Sequence, residues 1–275
     1  MYDLENKTAL VTGAGGKLGA GRRIATRLAQ EGADVIVNDI SSRPYTNNSW
    51  GGLPALVKEI QAIGRKSMSI IADVSDEQSV ISMIDQAIDK MGKIDILVNN
   101  AAVSAGKDRV PVVELLSENW DSVQKVNIRG TFLCCREVAR HMTNRTGGGR
   151  IINMSSVYGK RSAPRYAAYS ASKFAILGLT QALAAELGPV DVTVNALCPN
   201  LIATERLEPL SSSIRPHLRG KEAQKIMVDQ AVSQSPLGRI ASVTDIANAV
   251  AFLSSDQASY LTGLSLTIAG GSLMI

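Results

Sequence analysis

Cysteine and histidine are scarce in this sequence, with three of the first and two of the second among 275 residues. Cys134 and Cys135 are adjacent and Cys198 stands apart. That distribution fits neither a disulfide framework nor paired zinc-ligand spacing, so all three are read as buried core thiols. His141 and His217 have no second His, Cys or carboxylate at metal-ligand spacing, and no metal site is expected. There is no apolar run of about eighteen residues, which excludes a membrane-spanning helix. The first residues carry Asp3 and Glu5 where a secretory signal needs basic and then apolar side chains, and Gly13 cuts the apolar run short. A cytoplasmic protein with no membrane partner is expected. Charge of one sign is also missing: 29 basic against 25 acidic residues leave +4, scattered along the chain, so no nucleic-acid partner is expected either.

What is present is a chain with 45% hydrophobic and 20% charged residues, the balance of one large globular domain spanning 1–275. Short β-branched runs recur in the order TALVTG, ADVIVND, SMSIIAD, IDILVNN, GRIINMSS, VTVNALCP and LSLTIAGG. Between them lie segments such as GRRIATRLAQEG, SDEQSVISMIDQAIDKMG and ENWDSVQKVNIRGTFLCCREVARHM, whose apolar residues repeat at three and four. This alternation predicts an α/β, doubly wound fold: a seven-stranded parallel sheet with helices on both faces. The strands are nearly unbroken apolar runs, as a sheet covered on both sides requires. Two stretches are irregular, and we read 41–52 as a surface insertion and 205–234 as a mobile substrate lid.

The first strand runs directly into the turn GAGGKLGAG, and a helix begins near Arg22. Glycines let the backbone approach a pyrophosphate closely, and the free N–H groups of the helix start meet its charge. Gly13, Gly19 and Gly21 are the candidates, and the context makes the fold Rossmann-type. About eighteen residues past Gly21 the second strand ends at Asp39, where a carboxylate can bond the adenosine ribose hydroxyls and repel a 2′-phosphate. That favours NAD over NADP. A helix cap is the other reading of Asp39, and Lys17 or Arg43 can stabilise a 2′-phosphate if either swings to the ribose.

Tyr169 and Lys173 are four apart in YSASK, within a segment of helical periodicity, so both project from one helix face. An ammonium next to a phenol favours the phenolate, so Lys173 can activate Tyr169 as an acid/base group. Ser156 closes GRIINMSS, thirteen residues earlier, at the carboxyl end of a central strand where ligands of such folds bind. Its hydroxyl can hydrogen-bond a substrate oxygen. Taken singly, Tyr169 can be an amphipathic core edge, Lys173 a solvated charge and Ser156 a helix cap; their combination with the glycine turn points to catalysis.

TGAGGKLGAG, NNAA, the helix carrying Asn127, SS ahead of YSASK, and CPNLIAT together resemble the short-chain dehydrogenase/reductase family, from about Asn6 to Gly271. The chain departs from the family pattern in two extra turn residues, Lys17 and Leu18, in Ala102 ending NNAA, and in Asn200 after Pro199. The resemblance implies an enzyme that interconverts a secondary alcohol and its ketone with NAD. The alternatives are an NADPH-dependent carbonyl reductase and a catalytically idle dinucleotide-binding subunit. It implies a catalytic set of Asn127, Ser156, Tyr169 and Lys173, with Asn127 binding a water through its backbone. Implied cofactor contacts are Gly13, Gly15, Lys17, Leu18, Gly19 and Gly21 in the turn, and Asp39 with Ile40 at the ribose. Asp73 and Val74 follow at the adenine, then Asn99 and Ala101 along the ribose, and Pro199, Ile202 and Thr204 at the carboxamide. Tyr169 and Lys173 also meet the cofactor. Asp73 has a second reading as a cap on the helix starting near Ser75. The substrate is expected against Ser104, Ser156, Val157, Tyr158, Arg161, Tyr166, Tyr169, Asn200 and Leu201. Helices near Thr131–Met142 and after Lys173 are apolar on more than one face, which predicts a homotetramer, with a dimer as the alternative.

Overall fold

The computed structural model describes residues 2–44, 49–215, 217–218 and 220–275. Seven strands form one sheet: β1 (Thr8–Val11), β2 (Asp34–Asp39), β3 (Ser67–Ile71), β4 (Ile96–Asn99), β5 (Gly149–Met154), β6 (Val192–Pro199) and β7 (Ser265–Ile268). Their spatial order is β3-β2-β1-β4-β5-β6-β7, and every pairing is parallel. The chain winds outward through β2 and β3, then crosses back to lay β4 on the other side of β1. The order therefore reverses between β1 and β4, and a crevice opens beyond their carboxyl ends.

Side-chain alternation explains the unbroken apolar runs. Ala9, Val11, Val35, Val37, Ile96 and Val98 pack on one face under α1 (Ala20–Gln30), α2 (Gly52–Ala62) and α9 (Val243–Ser254). Leu10, Ile36, Leu97, Ile151 and Val194 pack on the other, under α3 (Glu77–Met91), α5 (Thr131–Thr143) and α6 (Ala167–Leu187). The inner strands β1, β2, β4, β5 and β6 thus feed two cores in alternate positions, while the edge strands reach one each, β3 through Ile70 and β7 through Ile268. Polar side chains buried in the sheet, such as Asn99 and Asn153, are hydrogen-bonded to one another. The three cysteines are buried and free. Among the described residues no helix is long and apolar enough to cross a membrane, and no three metal-ligating side chains cluster.

Three stretches differ from the sequence expectation. The segment around Asn127 is not one continuous helix: α4 (Ser117–Gln124) passes through a π-helical turn at Lys125–Gly130 into α5. The side chain of Asn127 holds the insertion in place, accepting from the Val103 N–H at 3.1 Å and donating to the Ser172 hydroxyl at 3.0 Å. The stretch 205–234 is helical, not irregular, forming α7 (Leu207–Ile214) and α8 (Gly220–Ser233). Leu207, Leu210 and Ile214 recur at helical spacing there and face the crevice. Of the expected surface insertion, residues 45–48 lie outside the described residues. Its flanks fold back on the glycine turn: the Trp50 indole N–H donates to the Gly15 carbonyl at 2.9 Å, and Arg22 lies 4.4 Å above the Trp50 ring.

Candidate active site

The glycine turn is clamped to the end of β4. Asn100 donates its side-chain amide to the carbonyls of Thr12 and Gly13, both at 2.9 Å. The Thr12 hydroxyl in turn accepts from the backbone of Asn100 and Ala101 at 3.1 Å. Gly13 has φ +65°, and a Cβ there would stand 2.7 Å from the Ala101 Cα. A Cβ on Gly21 would stand 2.4 Å from the Gly13 carbonyl oxygen and 2.6 Å from the Asn100 amide. No side chain fits at either position. α1 starts at Ala20 with Gly19 as its N-cap and no side-chain cap, so its first N–H groups are left for a ligand.

Gly13, Gly16, Gly19 and Ala20 line the cleft. Gly15 and Gly21 do not: Gly21 is a packing residue, and a Cβ on Gly15 would meet Pro44 at 2.7 Å. The extra pair Lys17 and Leu18 is exposed outside the cleft. The Lys17 carbonyl accepts from Arg22, and the Leu18 N–H donates to the Glu205 carboxylate at 2.8 Å, joining the turn to the segment that precedes α7.

Asp39 lies at the cleft with Ile40, and its carboxylate accepts the N–H of Gly15 at 2.9 Å and of Ile40 at 2.8 Å. Burial raises its pKa above the ordinary carboxylate value, against the pull of those two N–H groups and of Arg206. It caps no helix. Asp73 and Val74 line the same wall. The Asp73 carboxylate accepts from the Ser75 N–H at 2.8 Å, while the N-cap of α3 is Asp76. The reading of Asp73 as a helix cap is therefore corrected, one turn of chain too early. Asn99 also needs correction, because its side chain faces away from the cleft, donating to Asn153 at 2.9 Å and to Cys135 at 3.1 Å. Asn100 and Ala101 face the cleft instead.

Across the crevice, Tyr169 occupies the third position of α6 and Lys173 sits one turn on, with its ammonium 5.7 Å from the Tyr169 ring centre. Ser156 follows β5, and its hydroxyl accepts from the Tyr158 N–H at 3.2 Å and is hydrogen-bonded to Tyr169. All three side chains line one cleft of about 760 Å³, shared with the glycine turn and Asp39, a size in the range of small-molecule sites. Burial raises the Tyr169 pKa, while the Ser156 hydrogen bond and the guanidinium groups of Arg109 and Arg206 pull it down. Burial draws the Lys173 ammonium down to about 7, assisted by Arg206. Its Nζ donates to the Met154 carbonyl at 2.7 Å. The Ser155 hydroxyl is turned away, donating to the Lys173 carbonyl at 2.8 Å.

Asn127 is fully buried beneath the cleft and does not line it, and its carbonyl accepts from the Thr131 hydroxyl at 2.7 Å. Val157 is buried in the same way. Ser104, Tyr158, Arg161, Tyr166, Asn200 and Leu201 line the same cleft as Tyr169, as do Pro199, Ile202 and Thr204. The Asn200 amide is engaged by Ser272 at 2.8 Å. No signal in the sequence points to Asn100 or Arg206, and Arg109 lies in the loop after β4. Arg206 donates to the Ala102 carbonyl at 2.9 Å, and both arginines line the cleft near Tyr169. Nothing in local periodicity marks such loop residues.

Residues 13–272 match a family model described as enoyl-(acyl carrier protein) reductase. A short-chain dehydrogenase/reductase of Armillaria gallica is 38% identical over 268 residues, covering 97% of this chain and 96% of that protein. The chain belongs to the short-chain dehydrogenase/reductase family. A 3-oxoacyl-[acyl-carrier-protein] reductase of Staphylococcus epidermidis is likewise 38% identical, over 98% of this chain and all of that one. Among solved structures, carveol dehydrogenase from Mycobacterium avium in complex with NAD is similar at a TM-score of 0.87 and 30% identity, covering 99% of both chains. As a member of this family the protein is an oxidoreductase that acts on CH–OH groups and binds a nicotinamide dinucleotide.

Proposed function

We propose that this short-chain dehydrogenase/reductase interconverts a secondary alcohol and its ketone with NAD, using Tyr169 as the acid/base group. The carrying observation is the convergence of Ser156, Tyr169 and Lys173 on the cleft that also holds the glycine turn. The uncapped start of α1 and the glycines that exclude a Cβ fit a dinucleotide pyrophosphate. Bound nicotinamide would accept or supply the hydride. Ser156 holds the substrate oxygen by a hydrogen bond, and Tyr169 takes its proton on oxidation or returns it on reduction. Lys173, one turn on from the phenol, favours its ionised form while protonated and is itself held by the Met154 carbonyl. α7 and α8 cover the substrate end with Leu207, Leu210, Ile214 and Met227, which keep water from the reacting oxygen.

Asp39 supports NAD, because a 2′-phosphate at the ribose would meet its carboxylate, and Lys17 and Arg43 lie outside the cleft lining. The resemblance to an NAD complex of carveol dehydrogenase agrees with this reading. A screen of secondary alcohols with NAD and of ketones with NADH or NADPH, read at the reduced-nicotinamide absorbance, tests it. Faster turnover with the phosphorylated cofactor, or turnover confined to carbon–carbon double bonds, would overturn it. In the same assay Asp39→Ala is expected to lower kcat/KM for NAD about tenfold, for the loss of a charged hydrogen bond of about 1.5 kcal/mol. The preference over NADP should narrow; an unchanged preference removes the role given to Asp39.

The half-exposed Phe132 on α5 and Phe174 on α6 support a homotetramer, since aromatic side chains on helices that flank one face are costly to leave in water. Analytical ultracentrifugation should give a mass near four chains, and a concentration-independent monomer would refute the proposal.

A further inference from the structure

Arg109 lies in the loop after β4, yet it is only 4% exposed. Its guanidinium carbon is 4.6 Å from the ring centre of Tyr169 and 4.6 Å from that of Tyr166. The two rings stand edge to face at 6.1 Å, and Tyr158 stacks on Tyr166 at 4.2 Å, so the cation is wedged into an aromatic cluster. The neighbouring Asp108, itself buried, forms an ion pair with Arg109. The Arg109 Nε–H finds no hydrogen-bond acceptor among the described residues. A buried guanidinium with an unpaired donor is costly to maintain, and pairing with the carboxylate alone does not account for its place against the Tyr169 ring.

We propose that Arg109 is a positioning residue for the acid/base tyrosine: its guanidinium fixes the Tyr169 ring against Tyr166 and supplies a buried positive charge that favours the phenolate. The position of Asp108 makes the pair a tuning device, in which one member pulls the phenol toward ionisation and the other opposes it. A cation over an aromatic face orients the ring, and in a site shielded from water its field on the phenol oxygen is weakly screened. The groups facing Tyr169 are few enough to separate. Lys173 and Tyr166 share its helix or the helix start, Arg109 and Asp108 come from the loop after β4, Arg206 follows β6, and Ser156 and Tyr158 follow β5. Direct contact between Arg109 and an anionic substrate is the competing use of this cation, and it predicts no change in the phenol itself.

The inference rests on the acid/base role proposed for Tyr169, but its test needs no substrate. Protein labelled at the tyrosine ring carbon that bears the hydroxyl is titrated by NMR in the presence of NAD, and the Tyr169 resonance is assigned as the one missing in Tyr169→Phe. Arg109→Met should make the phenol on the order of tenfold weaker as an acid, moving its ionisation to higher pH. Asp108→Asn should move it to lower pH. Should Arg109→Met fail to fold because Asp108 is left as a buried unpaired charge, the double variant with Asp108→Asn removes both charges and should still show the upward shift. Arg109→Lys should lie between wild type and Arg109→Met. Opposite shifts in the two single variants are not produced by a merely structural pair. An unmoved resonance in both, or shifts in one direction only, overturns the proposal. Turnover in Tyr169→Phe would instead remove the acid/base reading while leaving this titration intact.

Discussion

Tyr169→Phe is expected to lower kcat by about three orders of magnitude while leaving the NAD dissociation constant within a factor of about two. The size follows from what is deleted: positioned proton transfer contributes on the order of 10²–10⁴, and the variant loses that and little else. The ring keeps its edge contacts with Tyr158 at 6.4 Å and Tyr166 at 6.1 Å and its place under Arg109, so the cleft should keep its shape. Ser156 still offers its hydroxyl to the substrate oxygen, but no nearby group can take over the proton at that point. Single-turnover measurement with NAD and the best alcohol of the screen, beside a fluorescence titration of NAD, separates the two effects. Activity within tenfold of wild type would sink the assignment. Lost activity with weakened NAD binding would show that the hydroxyl serves the cofactor and not the substrate.

The parts of the fold that were legible in the sequence are those decided by short-range periodicity. The five inner strands were marked by apolar runs because each feeds a core on both faces, the edge strands β3 and β7 by shorter β-branched runs, and the intervening helices by spacings of three and four. The Tyr169 and Lys173 pair was legible for the same reason, since four residues on a helix fix a shared face whatever the rest of the chain does. At the end of β4 the sequence offered two adjacent asparagines, and there the reading chose wrongly. Neighbouring positions of a strand point to opposite sides, so Asn99 enters the Asn153 and Cys135 network while Asn100 turns to the glycine loop. A one-residue uncertainty in where the strand ends is enough to exchange their roles. The helices of 207–233 were obscured by Pro209 and the serines that follow. Yet Pro209 falls in the first turn of α7, where a missing N–H costs nothing. Arg109 and Arg206 reach Tyr169 from loops whose paths depend on tertiary packing, and no local pattern announces that. The π-turn at Asn127 likewise arises from contacts with Val103 and Ser172, far off in sequence.

Lys173→Met should abolish turnover, by about three orders of magnitude, and at the same time make the protein more stable. A lysine that is 4% exposed, with its pKa drawn down to about 7 by burial and by Arg206, disfavours the folded state whenever the unfolded chain would hold that proton. Between the folded value near 7 and the ordinary lysine value of 10.5, the unfolded state binds more protons, so wild-type stability rises with pH across that window. Below about pH 7 the full penalty is present, and above the ordinary value it has vanished. Methionine carries no such penalty and fills nearly the same volume, though it leaves the Met154 carbonyl without the 2.7 Å donor. That lost hydrogen bond costs about 1 kcal/mol, less than the desolvation of the ammonium, so the balance favours the variant by on the order of 1–3 kcal/mol near pH 6. Thermal unfolding should show the gain at about pH 6 and its shrinkage by about pH 9, where the wild-type lysine is largely neutral in the folded state. A variant that is equally stable or less stable at the acid end would mean that the Lys173 ammonium is better solvated than its burial implies. Its proposed tuning of the phenol would then need a different electrostatic source, of which Arg109 and Arg206 are the cations already in place.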